Sequence, residues 1–176
     1  EDGIRDKLVT GVQTCALPIC NCNIAIGLCS MFYNRTGNSN VAIGPSTIQY
    51  NTTGKCNIAI GKDTMKCSRG GTNMVAFGQY ASQCSCNASY SIAIGQAALR
   101  CNCSTNSIGI GRYALNRSTL ASYSTAVGMF SLYNNLTGFG NSAIGAKSLY
   151  SNTGGYNNTA LGKYAGCTNT TGCNNT

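Results

Sequence analysis

A glycine recurs along this chain at an almost fixed interval, as Gly27, Gly44, Gly61, Gly78, Gly95, Gly111, Gly128, Gly145 and Gly162. Seven of the eight spacings are 17 residues, and one, Gly95 to Gly111, is 16. Nine copies of one unit therefore fill nearly everything from Asn23 onward. A period this strict confines the chain to a repeat architecture, in which each coil is unable to shelter an apolar face alone and must stack on its neighbours.

Aligned on that glycine, the copies form columns of constant chemistry. Two places before it the residue is always small: Ala25, Ala42, Ala59, Ala76, Ala93, Gly109, Ala126, Ala143 and Ala160. One place before it the residue is always apolar: Ile26, Ile43, Ile60, Phe77, Ile94, Ile110, Val127, Ile144 and Leu161. Three places before it the column opens with Ile24, Val41, Ile58, Val75, Ile92 and Ile108 and turns polar at Thr125, Ser142 and Thr159. Alternation of β-branched residues with Ala, closed by Gly, predicts a short strand.

Beyond the glycine, Ser, Thr or Ala three places on and usually Met, Ile or Leu four places on predict a second, softer strand. The Asn or Ser column seven places on (Asn34, Asn51, Ser68, Ser85, Asn102, Ser118, Asn135, Asn152, Asn169) then predicts a turn. Ten places on stand Gly37, Gly54, Gly71, Gly138, Gly155 and Gly172, with Ala88, Thr105 and Ala121 in the other copies. The expected fold is an all-β, single-stranded parallel β-solenoid. Its coils should stack about 4.8 Å apart into a rod of roughly 45 Å.

The apolar column closing each strand is the expected core. The always-small column then faces outward, where its lack of variation predicts close approach to a flat surface, most simply the equivalent faces of two further chains about a threefold axis. The alternative is a coil bent so sharply that the Ala column is itself interior.

The chain has no His, and outside its first residues it has one carboxylate, Asp63. General acid-base catalysis, a Ser/His/Asp triad and carboxylate metal sites therefore lack their residues, and a Cys nucleophile lacks its base. The glycines never form a phosphate-cradling GxxxxGK[ST]. No catalytic residue, cofactor, nucleotide or membrane contact is expected of this stretch, and no enzyme.

Cysteine chemistry remains open. Cys67, Cys84 and Cys101 share the column six after the glycine, and Cys86 and Cys103 the column eight after. Column neighbours about 4.8 Å apart at Cα fit a disulfide. Alternatively, Cys84, Cys86, Cys101 and Cys103 form a square of thiols suited to Zn or Cu(I). A third reading is that Cys merely replaces Ser or Asn in a turn.

Residues 1–19 (EDGIRDKLVTGVQTCALPI) stand apart from the repeat and, read back through the genetic code, resemble pieces of a common indexed sequencing-library adapter, with Lys7 and Leu8 at the variable index. The segment is expected to be non-native, leaving 20–176 as the repeat domain, a fragment truncated at both ends. That domain carries ten basic residues and one acid, a net charge of +9. Such a surface favours anionic partners or simple solubility. Tyr80, Tyr113 and Tyr164, all two after the glycine, lie on one side within reach of sugars. Nine N-x-[ST] sequons begin at Asn34, Asn51, Asn87, Asn102, Asn116, Asn135, Asn157, Asn169 and Asn174.

The units NIAIG, NVAIG, SIAIG, NSAIG and NTALG, joined by NRTG, NTTG and NLTG, resemble the head repeats of trimeric autotransporter adhesins and the related repeats of phage-type tail fibres. The resemblance covers Asn23 to Thr176. It implies a left-handed β-roll that forms a homotrimer, displayed at the cell surface, outside the cell or on a virion fibre. It also implies adhesion to a host surface glycan or matrix protein through a rigid repetitive face, or a purely structural spacer. The 17-residue unit is longer than the one usual in adhesin heads, and cysteine is scarce in that family.

Overall fold

A computed structural model describes residues 22–86 and 88–176; the adapter-like segment lies outside the described residues. The described residues form nine three-residue strands: β1 (Ile24–Ile26), β2 (Val41–Ile43), β3 (Ile58–Ile60), β4 (Val75–Phe77), β5 (Ile92–Ile94), β6 (Ile108–Ile110), β7 (Thr125–Val127), β8 (Ser142–Ile144) and β9 (Thr159–Leu161). They lie in chain order in one parallel sheet. Every pairing sets a residue on its counterpart in the next copy, as Ala42 on Ala59 and Ile43 on Ile60. The parallel β-solenoid expected from the 17-residue period is thus the fold.

The phase of the strand is the reverse of the expected one. The small column is interior: Ala42, Ala59, Ala76, Ala126 and Ala143 are completely buried. The predicted core, Ile26, Ile43, Ile60, Phe77, Ile94, Ile110, Val127, Ile144 and Leu161, points outward; Ile26 is 44% exposed, Ile144 46% and Leu161 78%. Successive side chains on a strand take opposite faces, so burying Ala obliges its neighbours on both sides to face out.

The reason is the bore of the coil. The opposite wall carries the column four after the glycine, and Met31, Ile48, Met65, Leu99, Leu115, Leu132 and Leu149 are all buried. These long side chains cross the interior and leave room only for a methyl group or less. A Cβ built on Gly109 would already sit 3.1 Å from Leu99 Cγ. The core is Leu and Met against Ala, with the apolar strand residues outside it.

The second strand does not form. Residues two and four places after each glycine take left-handed conformations, as at Ser46 (φ 54°) and Ile48 (φ 50°), Ala97 (φ 55°) and Leu99 (φ 49°). That region costs an L-residue roughly 1–2 kcal/mol, and the alternating hand turns a strand into stacked turns. The ladder nevertheless continues through them, with Met31 N donating to Thr47 O (3.0 Å) and Leu99 N to Ala114 O (2.9 Å). Stacking offsets the strain and fixes which way the Leu column points.

Asn side chains satisfy the corners. Asn40 Nδ2 donates to Gly54 O (2.9 Å), while Asn40 Oδ1 accepts from Asn57 N (3.0 Å) in the next coil. Asn51 Nδ2 donates to Asn34 Oδ1 (3.0 Å), and Asn152 Nδ2 to Asn135 Oδ1 (2.8 Å). The glycine closing each strand has φ near +125°, a region reserved for Gly; a Cβ on Gly27 would meet the Gly44 carbonyl at 2.6 Å. The 16-residue coil loses its residue at a corner. Ser104, instead of Thr105, fills the small-residue slot, its N–H donating to Asn102 Oδ1 (3.0 Å), and the strand register between β5 and β6 is unaffected.

Three substitutions test this arrangement in urea unfolding of the isolated chain. Ala76→Ile overpacks the bore and should cost about 1–3 kcal/mol. Asn40→Ala strands a buried carbonyl and a buried N–H and should cost about 1–3 kcal/mol. Ile60→Ser, on the outer face, should stay within about 0.5 kcal/mol at chain concentrations low enough to keep copies apart.

Candidate functional site

With the small column inside, the outer surface of the sheet carries two parallel apolar rows. One is the Ile26 to Leu161 row; the other is Ile24, Val41, Ile58, Val75, Ile92 and Ile108, followed by Thr125, Ser142 and Thr159. Residues two apart on a strand are about 6.6 Å apart, and nine strands at about 4.8 Å span about 38 Å. The face is thus long, narrow, flat and free of charged residues. Single exposed apolar side chains are ordinary on a protein surface; a continuous stripe of them marks a binding surface. Sequence reasoning missed this face because it placed the Ile row inside. The signal was present in the column four after the glycine, which is Met, Ile or Leu in seven of nine copies and leaves no space for a second bulky row.

The turns on the other sides carry aromatic residues and cations. Tyr33 stacks on Tyr50 (centroids 5.0 Å), Tyr113 on Phe130 (5.1 Å), Tyr133 on Tyr150 (5.5 Å) and Phe139 on Tyr156 (5.0 Å). Tyr80, Tyr113 and Tyr164 share a column, as expected, and each carries a cation: Arg100 lies 5.6 Å from the Tyr80 ring, Arg112 5.1 Å from Tyr113, and Lys163 5.1 Å from Tyr164. Lys147 lies 5.9 Å from Tyr150 and 5.6 Å from Tyr164. The one described acid, Asp63, is bound to Lys66 at 2.9 Å, which raises the Lys66 pKa.

The cysteine columns come together at one corner. Cys84 interacts with both Cys67 and Cys101, and Cys86 with Cys103. A notch there is lined by Cys67, Arg69, Cys84, Ser85 and Cys86. The described cysteines are all free thiols. Among the described residues no three ligating side chains converge to hold a metal ion, so Cys84, Cys86, Cys101 and Cys103 form two stacked pairs and not the closed square considered from sequence. The larger concavity, at the end of the rod, is the open last coil around Leu149, Ala160 and Leu161.

Among the sequons, Asn34, Asn51, Asn102, Asn116 and Asn135 are buried in the corners and closed to glycosylation in the folded chain, whereas Asn169 is half-buried and Asn157 and Asn174 are exposed. Asn87 lies outside the described residues.

No family model, curated protein or solved structure matches this chain. What stands is a parallel β-solenoid with a repeat of about 17 residues.

The thiols have a measurable signature. Burial, then the neighbouring Cys67, pushes the Cys84 pKa up; burial and Cys84 do the same for Cys101, and the contact with Cys103 does so for Cys86. A thiol whose pKa is raised by folding contributes stability below its unfolded value, and that contribution is lost as pH rises through the folded value. In reducing buffer, the Tm of the chain should therefore fall more steeply above about pH 8.5 than that of a Cys84→Ser/Cys86→Thr variant, followed by circular dichroism.

Proposed function

We propose that this chain is a module of a homotrimeric surface fibre, of the trimeric autotransporter head or phage-type tail-fibre kind. In this reading it assembles through the outward apolar face of its sheet and presents its turns to a host surface glycan or matrix protein. The observation that carries the reading is the pair of isoleucine rows. Both are free of charge and in register, one apolar along the whole rod and the other apolar from Ile24 to Ile108, and in water that stripe favours being covered. Two further copies are the fitting cover. A repeating flat face meets an identical parallel face at every coil, so one good contact is repeated along the length. Threefold symmetry comes from the resemblance of NIAIG, NTTG and their variants to those fibres.

The adhesive half of the proposal rests on a repeat domain, residues 20–176, with one acid against ten bases and on partly exposed tyrosines, several of them stacked or beside cations. Aromatic faces suit sugar rings, and the net charge suits sulfated or otherwise anionic glycans.

Sedimentation equilibrium tests assembly: the chain should run as a trimer, and Ile60→Lys/Ile94→Lys should run as a folded monomer with unchanged circular dichroism. A wild-type monomer at tens of micromolar would remove the proposal. A glycan array probed with the trimer tests adhesion; binding to anionic glycans that weakens with salt is expected, and silence at all densities would leave the spacer function.

A further inference from the structure

Five thiols occupy one corner of three consecutive coils. Cys67, Cys84 and Cys101 stand one above another, and Cys86 and Cys103 form a second pair beside them. The backbone ladder fixes the stack: Cys67 N donates to Gln83 O (2.8 Å), Cys84 N to Arg100 O (2.8 Å) and Cys86 N to Asn102 O (3.2 Å). Cys67, Cys86 and Cys101 are exposed, and Cys84 and Cys103 half-buried, so reagents reach all five.

Coil spacing decides what such a row can bind. Coils repeat at about 4.8 Å, and a side chain in a shared column is carried about the same distance from one to the next; Cys103 stands at the corner where the 16-residue coil is shortened, and its pairing with Cys86 rests on their direct side-chain contact. A disulfide asks for Cβ atoms about 3.5–4.5 Å apart, so forming one draws the coils together against the ladder. A metal–thiolate bond is about 2.3 Å long, and two of them end to end span about 4.6 Å, close to the coil repeat. Stacked thiols are therefore spaced for a cation held linearly between two sulfurs. Tetrahedral zinc needs four ligands, and not even three converge here.

The surroundings agree. The chain has no His, and its one described carboxylate, Asp63, is engaged by Lys66, so only soft sulfur ligands are offered, which selects soft ions such as Cu(I). Binding a monovalent ion between two thiols releases two protons and leaves one negative charge. Arg69 and Arg100 act electrostatically on these thiols, and Arg100 is held there by Gln83 Oε1 (2.9 Å) and the Tyr80 ring.

We propose that this corner is a binding site for soft, two-coordinate monovalent cations of the Cu(I) class, each ion bridging thiolates of adjacent coils. It takes two ions per chain: one on Cys84 with Cys67 or Cys101, and one between Cys86 and Cys103. The remaining described cysteines, Cys22, Cys29, Cys56, Cys167 and Cys173, have no column neighbour in an adjacent coil and serve as an internal control. The site is independent of trimer formation and of glycan binding.

The test uses the full chain, fully reduced and under anaerobic conditions, titrated with Cu(I) in the presence of excess glutathione as a monothiol competitor. Metal content after desalting should be two copper ions per chain, and X-ray absorption at the copper edge should show two sulfur neighbours. Cys84→Ser and Cys86→Thr should each lose one ion and the double variant both. These replacements are residues that other coils carry in the same columns, Ser151 and Thr52, so the variants should keep the wild-type circular dichroism spectrum and metal-free Tm. Retention of one ion or none by the wild-type chain, equal retention by the double variant, or three or four sulfurs around copper would overturn the assignment.

Discussion

The backbone ladder running around every coil is the interaction on which the rest depends. Parallel pairing in register places each residue directly on its counterpart in the next copy, so whatever chemistry a column has is multiplied along the rod. The interior, the Asn ladders, the aromatic stacks and the thiol row are all consequences of that one translation. A single coil has neither a core of its own nor partners for its peptide groups, and its stability is borrowed from the two coils beside it.

The narrowness of the coil sets the second constraint. A tube one side chain deep accepts a large residue from one wall only. Here the large residues come from the turn side, where left-handed conformations at positions such as Ile48 and Leu115 aim them inward. The strand side is reduced to Ala and Gly. The apolar residues that β-structure favours are thereby turned outward, and the surface best suited to association follows from how the core is filled.

Much of this was legible in the sequence. The period gave the architecture because a column of like residues has one simple origin, a stack. Alternation gave the strands, and the Asn and Gly columns gave the corners. What alternation does not reveal is its sign: Ile24, Ala25 and Ile26 read equally well with either face inward. Assigning the larger residue to the core is sound for a sheet packed on a helix or another sheet, but it fails where the facing wall is already occupied by Leu99 or Leu132. The second strand was misread because side-chain type does not report a positive φ at residues such as Ser46 and Ile48, where stacking overrides intrinsic preference. Among the cysteines, the columns were legible, but column membership alone did not separate a closed square from stacked pairs.

The shortened coil between Gly95 and Gly111 has a wider meaning. Its missing residue was taken from the corner near Asn102 and Ser104, and the next strand resumed in step. Change in length is thus absorbed where the chain turns and never reaches the flat face. A scaffold of this kind can vary, or accept a grafted loop, at that corner from copy to copy while the outer face of its sheet remains the same.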